Sequence, residues 1–249
     1  MQNYPILEFD DNDDVYIRPE FHHSNLPKVD YLVITFFKEV VNELIESNEV
    51  DKYIDLKGEN DYTFYKFKDE PTLLFHGGIG GPLCGGMMEE AIGLGVKKIL
   101  FCGGGGVLQQ LPVGHCIVIR EAIRDEGTSY HYAKPSREIK VNSDVVVKLE
   151  QGLTTLGIPF VTGKTWTTDA FYRETKDRVL RRKNEGAILV EMEQASLIAI
   201  AAFRKVTYGA ICYAGDDLSS DSWDSRQWKS RQSVRSALVK TCKELVKTL

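Results

Sequence analysis

TLLFHGGIGGPLCGGMMEEAIGLGVKKILFCGGGGV, residues 72–107, decides the fold. Thr72–His76 and Lys98–Cys102 are brief runs rich in Leu, Ile and Phe, which read as buried strands. Between them Leu83–Gly93 carries helical spacing. Each strand runs directly into a cluster of glycines. Strand, glycine turn, helix and second strand form a parallel crossover unit. Repeated along a chain, that unit builds a sheet covered by helices on both faces.

The same alternation extends in both directions. Tyr31–Thr35, Cys116–Arg120, Pro159–Thr162, Ala187–Glu191 and Val206–Ala214 are further buried strands by composition. Phe36–Glu46, Ser143–Leu156, Lys176–Asn184, Glu193–Arg204 and Arg231–Leu249 carry helical spacing. No linker of low complexity and no internal repeat interrupts them. The expectation is therefore one α/β domain over residues 1–249, with residues 1–30 fitting the pattern least.

Composition limits the function. A hydrophobic fraction of 43% in 249 residues supplies a sizeable core. A net charge of −5 argues against broad binding to nucleic acid or an anionic membrane, which draws on clustered positive charge. Cys84, Cys102, Cys116, Cys212 and Cys242 are odd in number, lack CxxC spacing and sit mostly in apolar runs. They read as buried free thiols of a reducing compartment, with the cytoplasm as the expected location. Met1–Asp14 is acidic and has no apolar core of the signal-peptide kind. His22-His23 has no third ligand nearby, so no metal site is expected.

Ligands of open α/β sheets settle at the carboxyl ends of strands, and four segments there carry candidate chemistry. His76–Pro82, with Gly78 and Gly80, is a turn whose N–H groups can approach an anion; tight-turn structure is the plain alternative. Gly103–Gly106 reads as a loop passing closely beneath a sugar or anion, against a flexible hinge. Val190-Glu191-Met192-Glu193 places two acids where a strand becomes a helix. A carboxylate there can accept from two sugar hydroxyls while a thioether packs beneath the ring, though acids also offset a helix dipole. Asp216-Asp217 closes the last strand, as a proton donor or as turn aspartates.

With these motifs in view, the chain resembles the purine nucleoside and uridine phosphorylases and their nucleosidase relatives, from about Pro71 to Leu218. GIGGP (Gly78–Pro82), FCGGGG, AIRDEGTSYHYAKPS (Ala122–Ser136), TTDAFY (Thr167–Tyr172) and VEME follow in the family's order. The resemblance implies a single α/β domain around a mixed, partly barrel-like sheet, assembled as a dimer, trimer or hexamer. It implies that Glu193 holds the ribose hydroxyls, Met192 lies beneath the sugar and Glu191 supports them. Phe171 would stack on the base, Thr167 and Thr168 would line its edge, and Asp216 would face N7 of a purine.

Breaking a C1′–N bond develops positive charge on the sugar and negative charge on the base, and these groups suit both. The partner implied is a small-molecule nucleoside, with phosphate as co-substrate and no cofactor. Two positions depart from the family's phosphorylases: Phe101 and Gly104 stand where those carry an arginine and a Ser or Thr. Arg18, Arg124 or Arg173 is then left to supply charge to an oxyanion, or the Gly103–Gly106 N–H groups bind it directly. Arg173 reads as a 5′-phosphate contact or as an exposed helix-start residue. Phosphorolysis of a purine nucleoside leads. Hydrolysis of a nucleoside or of AMP, uridine phosphorolysis and silent nucleoside binding are the alternatives. Trp223 and Trp228, in the polar stretch after Asp216, belong to a lid or to packing.

Overall fold

The computed structural model describes residues 4–12, 14–19, 26 and 29–249. In chain order its elements are β1 (Tyr31–Thr35), α1 (Lys38–Glu46), β2 (Val50–Leu56), β3 (Tyr62–Phe67), β4 (Thr72–His76), α2 (Gly81–Gly93), β5 (Lys98–Val107) and β6 (Cys116–Asp125). Then follow β7 (Glu138–Lys140), α3 (Ser143–Thr155), β8 (Phe160–Thr168), α4 (Lys176–Asn184), β9 (Ala187–Glu191), α5 (Gln194–Arg204), β10 (Thr207–Asp217) and α6 (Gln232–Leu245).

All ten strands join one mixed sheet, in the order β10-β6-β8-β9-β5-β1-β4-β3-β2, with β7 added on β6. The long ladders, β1 with β4 and β5, β5 with β10 and β6 with β8, are parallel. A further pairing of β10 with β5 closes β5, β10, β6, β8 and β9 into a ring. The sheet is thus a small barrel with an open wing of β1, β4, β3 and β2.

Chain composition explains the elements. Leu32–Ile34, Leu73–Phe75 and Ile99–Cys102 are buried, as strands covered on both faces require. Along α5, Gln194–Ala201 is buried throughout, and small residues at Ala195, Ser196, Ala199 and Ala201 let it press against α2. The amphipathic α6 covers β5 with Leu238, Val239, Cys242 and Leu245 on its inner side. The five cysteines are buried and free. His22 and His23 lie outside the described residues.

The glycine run is not a loop. Gly103–Gly106 continues β5 as strand, in register with β10 from Cys212↔Gly103 to Ala214↔Gly105. Tertiary crowding is the reason. A Cβ on Gly105 would lie 2.5 Å from Val190 O, and one on Gly215 would lie 2.9 Å from Gly105 O. Three backbones meet there with no room for a side chain. The sequence reading also lacks the β2–β3 hairpin and β7: β2 and β7 carry charged residues among their apolar ones, and β3 is half-buried over most of its length and interrupted by Thr63 and Lys66.

Candidate active site

Strand β5 changes partners in its middle, and the site forms at that change. One edge pairs with β10 up to Gly105. On the other edge β1 pairs only as far as Thr35↔Cys102, and β9 begins only at Gly106↔Val190. Gly103–Gly105 therefore presents main chain with no strand partner on that edge. Crevices of this kind, outside the carboxyl ends of strands, are where α/β sheets receive ligands.

Strand β9 delivers the VEME segment to this gap. Because β9 runs antiparallel to β5, the chain past Val190 heads back along the glycine edge, then turns into α5. The two glutamates divide their work at this turn. Glu191 accepts four hydrogen bonds: Oε1 from Thr165 (3.1 Å) and Thr167 (2.6 Å), Oε2 from the N–H groups of Glu193 (2.6 Å) and Gln194 (2.7 Å). It satisfies the first turn of α5 and holds the bend, with both oxygens committed inside the protein. Glu193, at the N-cap of α5, instead reaches across to the glycine turn, where Gly80 N–H donates to its Oε1 at 2.7 Å. Gly80 can do so because its φ of +94° turns the amide inward, a conformation that favours glycine. Met192 between them is half-buried.

Burial pushes both glutamate carboxyls well above the usual carboxylate range, and for Glu193 the neighbouring Glu191 charge adds to it. Two further acids, absent from the sequence reading, enclose the same place. Asp169 accepts from Gly127 N–H at 2.9 Å, is raised mainly by burial, and acts on Glu193 by its charge. Glu126 accepts from Ser129 N–H (2.9 Å), the Ser129 hydroxyl and the Ser196 hydroxyl (2.6 Å). Gly81 leaves room for Ser196, whose Oγ lies 2.2 Å from where a Cβ would sit.

Several residues singled out from the sequence have partners of their own in the structure. Thr167 Oγ1 donates to Glu191 and accepts from Ala195 N–H, which braces the bend, and buried Thr168 accepts from Ala170 N–H. Arg124 is nearly buried beneath the 129–136 loop. Its guanidinium donates to Ser129 Oγ, Lys134 O, Ser136 Oγ and Ala133 O and stacks on Tyr130, so four of its five N–H groups are spent on that loop. Arg173 is exposed. Gly78 makes a tight turn against Leu83. Gly103 and Gly104 meet the Phe101 and Tyr213 rings. Phe171 is half exposed, its ring 4.1 Å from that of Tyr172.

Asp216 lies over the glycine strand from the β10 side, its Oδ1 3.4 Å from the Cβ position of Gly106, and accepts from the Trp223 indole N–H at 2.7 Å. Trp223 thus belongs to a segment folded onto the end of β10, where Asp217 and Asp224 also pair main chain to main chain. Among the described residues no group of three His, Cys, Asp or Glu side chains is arranged to hold a metal.

A mixed sheet closed into a small barrel, with a buried carboxylate at the end of β9 bonded to a glycine turn, defines an α/β protein of this architecture. The sequence model of the Phosphorylase superfamily matches residues 30–249, and the chain belongs to that family. It is 30% identical over 168 residues to the guanosine phosphorylase of Halorubrum lacusprofundi, covering 65% of this chain and 70% of that protein. A uridine phosphorylase of Thermococcus kodakarensis is 25% identical, covering 72% and 70%. In structure the chain is similar to uridine phosphorylase from Vibrio fischeri, with a TM-score of 0.73, 19% identity and coverage of 92% and 95%.

Proposed function

We propose that the chain cleaves the N-glycosidic bond of a purine nucleoside by phosphorolysis, releasing the base and ribose 1-phosphate. The observation that carries this reading is Glu193, fixed by Gly80 N–H at the turn into α5, on the strand connection that leaves β5 where the main-chain edge of Gly103–Gly105 loses its strand partner. The ribose hydroxyls donate to the Glu193 carboxylate, Met192 lies against the sugar, and the glycine edge supplies N–H donors to phosphate. Once ionised, above its raised titration range, the Glu193 carboxylate places negative charge beside the ribose and favours the cationic sugar of the transition state. Asp216 marks the end where the base leaves, with Phe171 as its stacking surface. The similarity to a guanosine phosphorylase supports a purine.

A second reading, hydrolysis, draws support from Phe101 and Gly104, which leave the oxyanion without the arginine and hydroxyl of the family's phosphorylases. Exposed Ile79 and Tyr172 fit an interface between copies in a homo-oligomer. The five buried free thiols fit the cytoplasm.

Incubation with guanosine, inosine, adenosine and uridine, each with and without phosphate, separates the readings. Purine release that needs phosphate is the expected result. Equal release without phosphate overturns phosphorolysis in favour of water. Nucleoside-induced stabilisation with no base release from any substrate identifies a silent binding protein.

A further inference from the structure

The chain after Asp216 closes on itself. Asp217 N–H donates to Asp224 O at 2.8 Å and Asp224 N–H returns to Asp217 O at 3.0 Å, so residues 218–223 form a short loop folded back on the end of β10. Its fastenings lie on several sides. Arg226 pairs with Asp217 Oδ2 and donates to Leu111 O at 2.9 Å, and Lys183 of α4 donates to Ser219 O at 3.0 Å. Just past the loop, Arg226 and Gln227 hold left-handed φ values of +47° and +53°. Non-glycine residues keep that conformation only where surrounding contacts fix it. The loop is set before any ligand arrives.

Trp223 is the last residue of this loop. It is 62% exposed, so burial in a core does not account for its place. Its polar group does. The indole N–H, which only donates, reaches Asp216 Oδ2 at 2.7 Å. The other oxygen, Oδ1, lies 3.4 Å from the Cβ position of Gly106 on the glycine strand. The terminal torsion of an aspartate is broad, so a carboxyl without partners samples many orientations. With Oδ2 held, that rotation stops and Oδ1 is the oxygen offered over the glycine strand.

We infer that Trp223 is a positioning residue for base release. It holds Asp216 so that Oδ1 meets one ring nitrogen of the base as the C1′–N bond breaks, and it acts through the carboxyl rather than on the base. This rests on the glycosidic-cleavage reading above.

The test is a double-mutant cycle in kcat and KM, on the purine nucleoside that releases base fastest, for the wild type, Trp223→Phe, Asp216→Ala and the double variant. Trp223→Phe keeps an aromatic ring and loses the N–H. The Asp217–Asp224, Arg226 and Lys183 contacts leave Trp223 out, so its Tm should stay within about 2 °C of the wild type. The expected result is a fall of about tenfold in kcat with KM changed by less than about threefold. In the Asp216→Ala background, with no carboxyl left to hold, the same substitution should change kcat by less than about twofold. A Trp223→Phe enzyme with the wild-type kcat overturns the inference. So does a loss of equal size with and without the Asp216 carboxyl, which would make Trp223 a structural part of the loop alone. A wild-type chain that releases no base from any nucleoside ends the underlying reading, and the inference with it.

Discussion

Replacing Gly105 by alanine tests whether the glycine run is dictated by packing. The added methyl would lie 2.5 Å from Val190 O and 2.9 and 3.1 Å from Leu189 side-chain atoms, on the strand between β9 and β10. The first of these contacts is with backbone, which cannot rotate away, and Gly215 crowds Gly105 from the other side. Overpacking of a core commonly costs about 1–3 kcal/mol, and this geometry belongs at the upper end. Gly86 is the control. It is an exposed glycine in α2 with nothing within 4 Å of its Cβ position, so Gly86→Ala is expected to stabilise by about 0.5–1 kcal/mol. Denaturant unfolding of the two variants and the wild type should show opposite signs. For a chain of this size the Gly105→Ala loss corresponds to a fall of roughly 4–12 °C in Tm. Wild-type stability in Gly105→Ala would refute the packing account and return the run to a purely ligand-related role.

Two further outcomes follow from the site's electrostatics. Burial, and then Glu191, hold the Glu193 carboxyl above its unfolded value, so between the two values the native state binds an extra proton and stability falls as pH rises through that window. Glu193→Gln should therefore gain stability over the wild type from pH 5 to pH 8, by about 1.4 kcal/mol per unit of upward displacement; parallel stability curves would contradict it. Arg124→Lys gives up the planar fork that gathers the 129–136 loop, with charged hydrogen bonds worth roughly 1.5–3 kcal/mol each. Hydrogen exchange across that loop should accelerate at least tenfold, and unchanged protection would show that the loop is held by other contacts.

Some of this architecture was plain in the amino-acid order and some was not, for physical reasons. Tyr31–Thr35, Thr72–His76, Ala187–Glu191 and Lys176–Asn184 keep the bounds read from sequence, because strands buried on both faces are continuous apolar runs and α4 is capped by Thr175. β2 forms the sheet edge with several residues in solvent, and β3 beside it is broken by Thr63 and Lys66, so no continuous apolar run marks the hairpin. The four glycines looked like a loop because glycine favours turns; only the approach of Val190 and Gly215 in space makes them strand. In VEME the sequence offered two acids and two explanations without assigning either. Glu191 takes the helix-terminus role and Glu193 reaches Gly80, 113 residues away in sequence. Glu126 and Asp169 work through partners that no spacing reveals, since Ser196 lies 70 residues from one and Gly127 lies 42 from the other.

The central claim is that a nucleoside's ribose is held by the one carboxylate that leaves the helix terminus for the glycine turn. The most direct measurement is base release by Glu193→Ala beside the wild type, on the best substrate of the nucleoside panel, with melts of both proteins. The account predicts a folded variant whose turnover is abolished. A Glu193→Ala enzyme that releases base at the wild-type rate would contradict it.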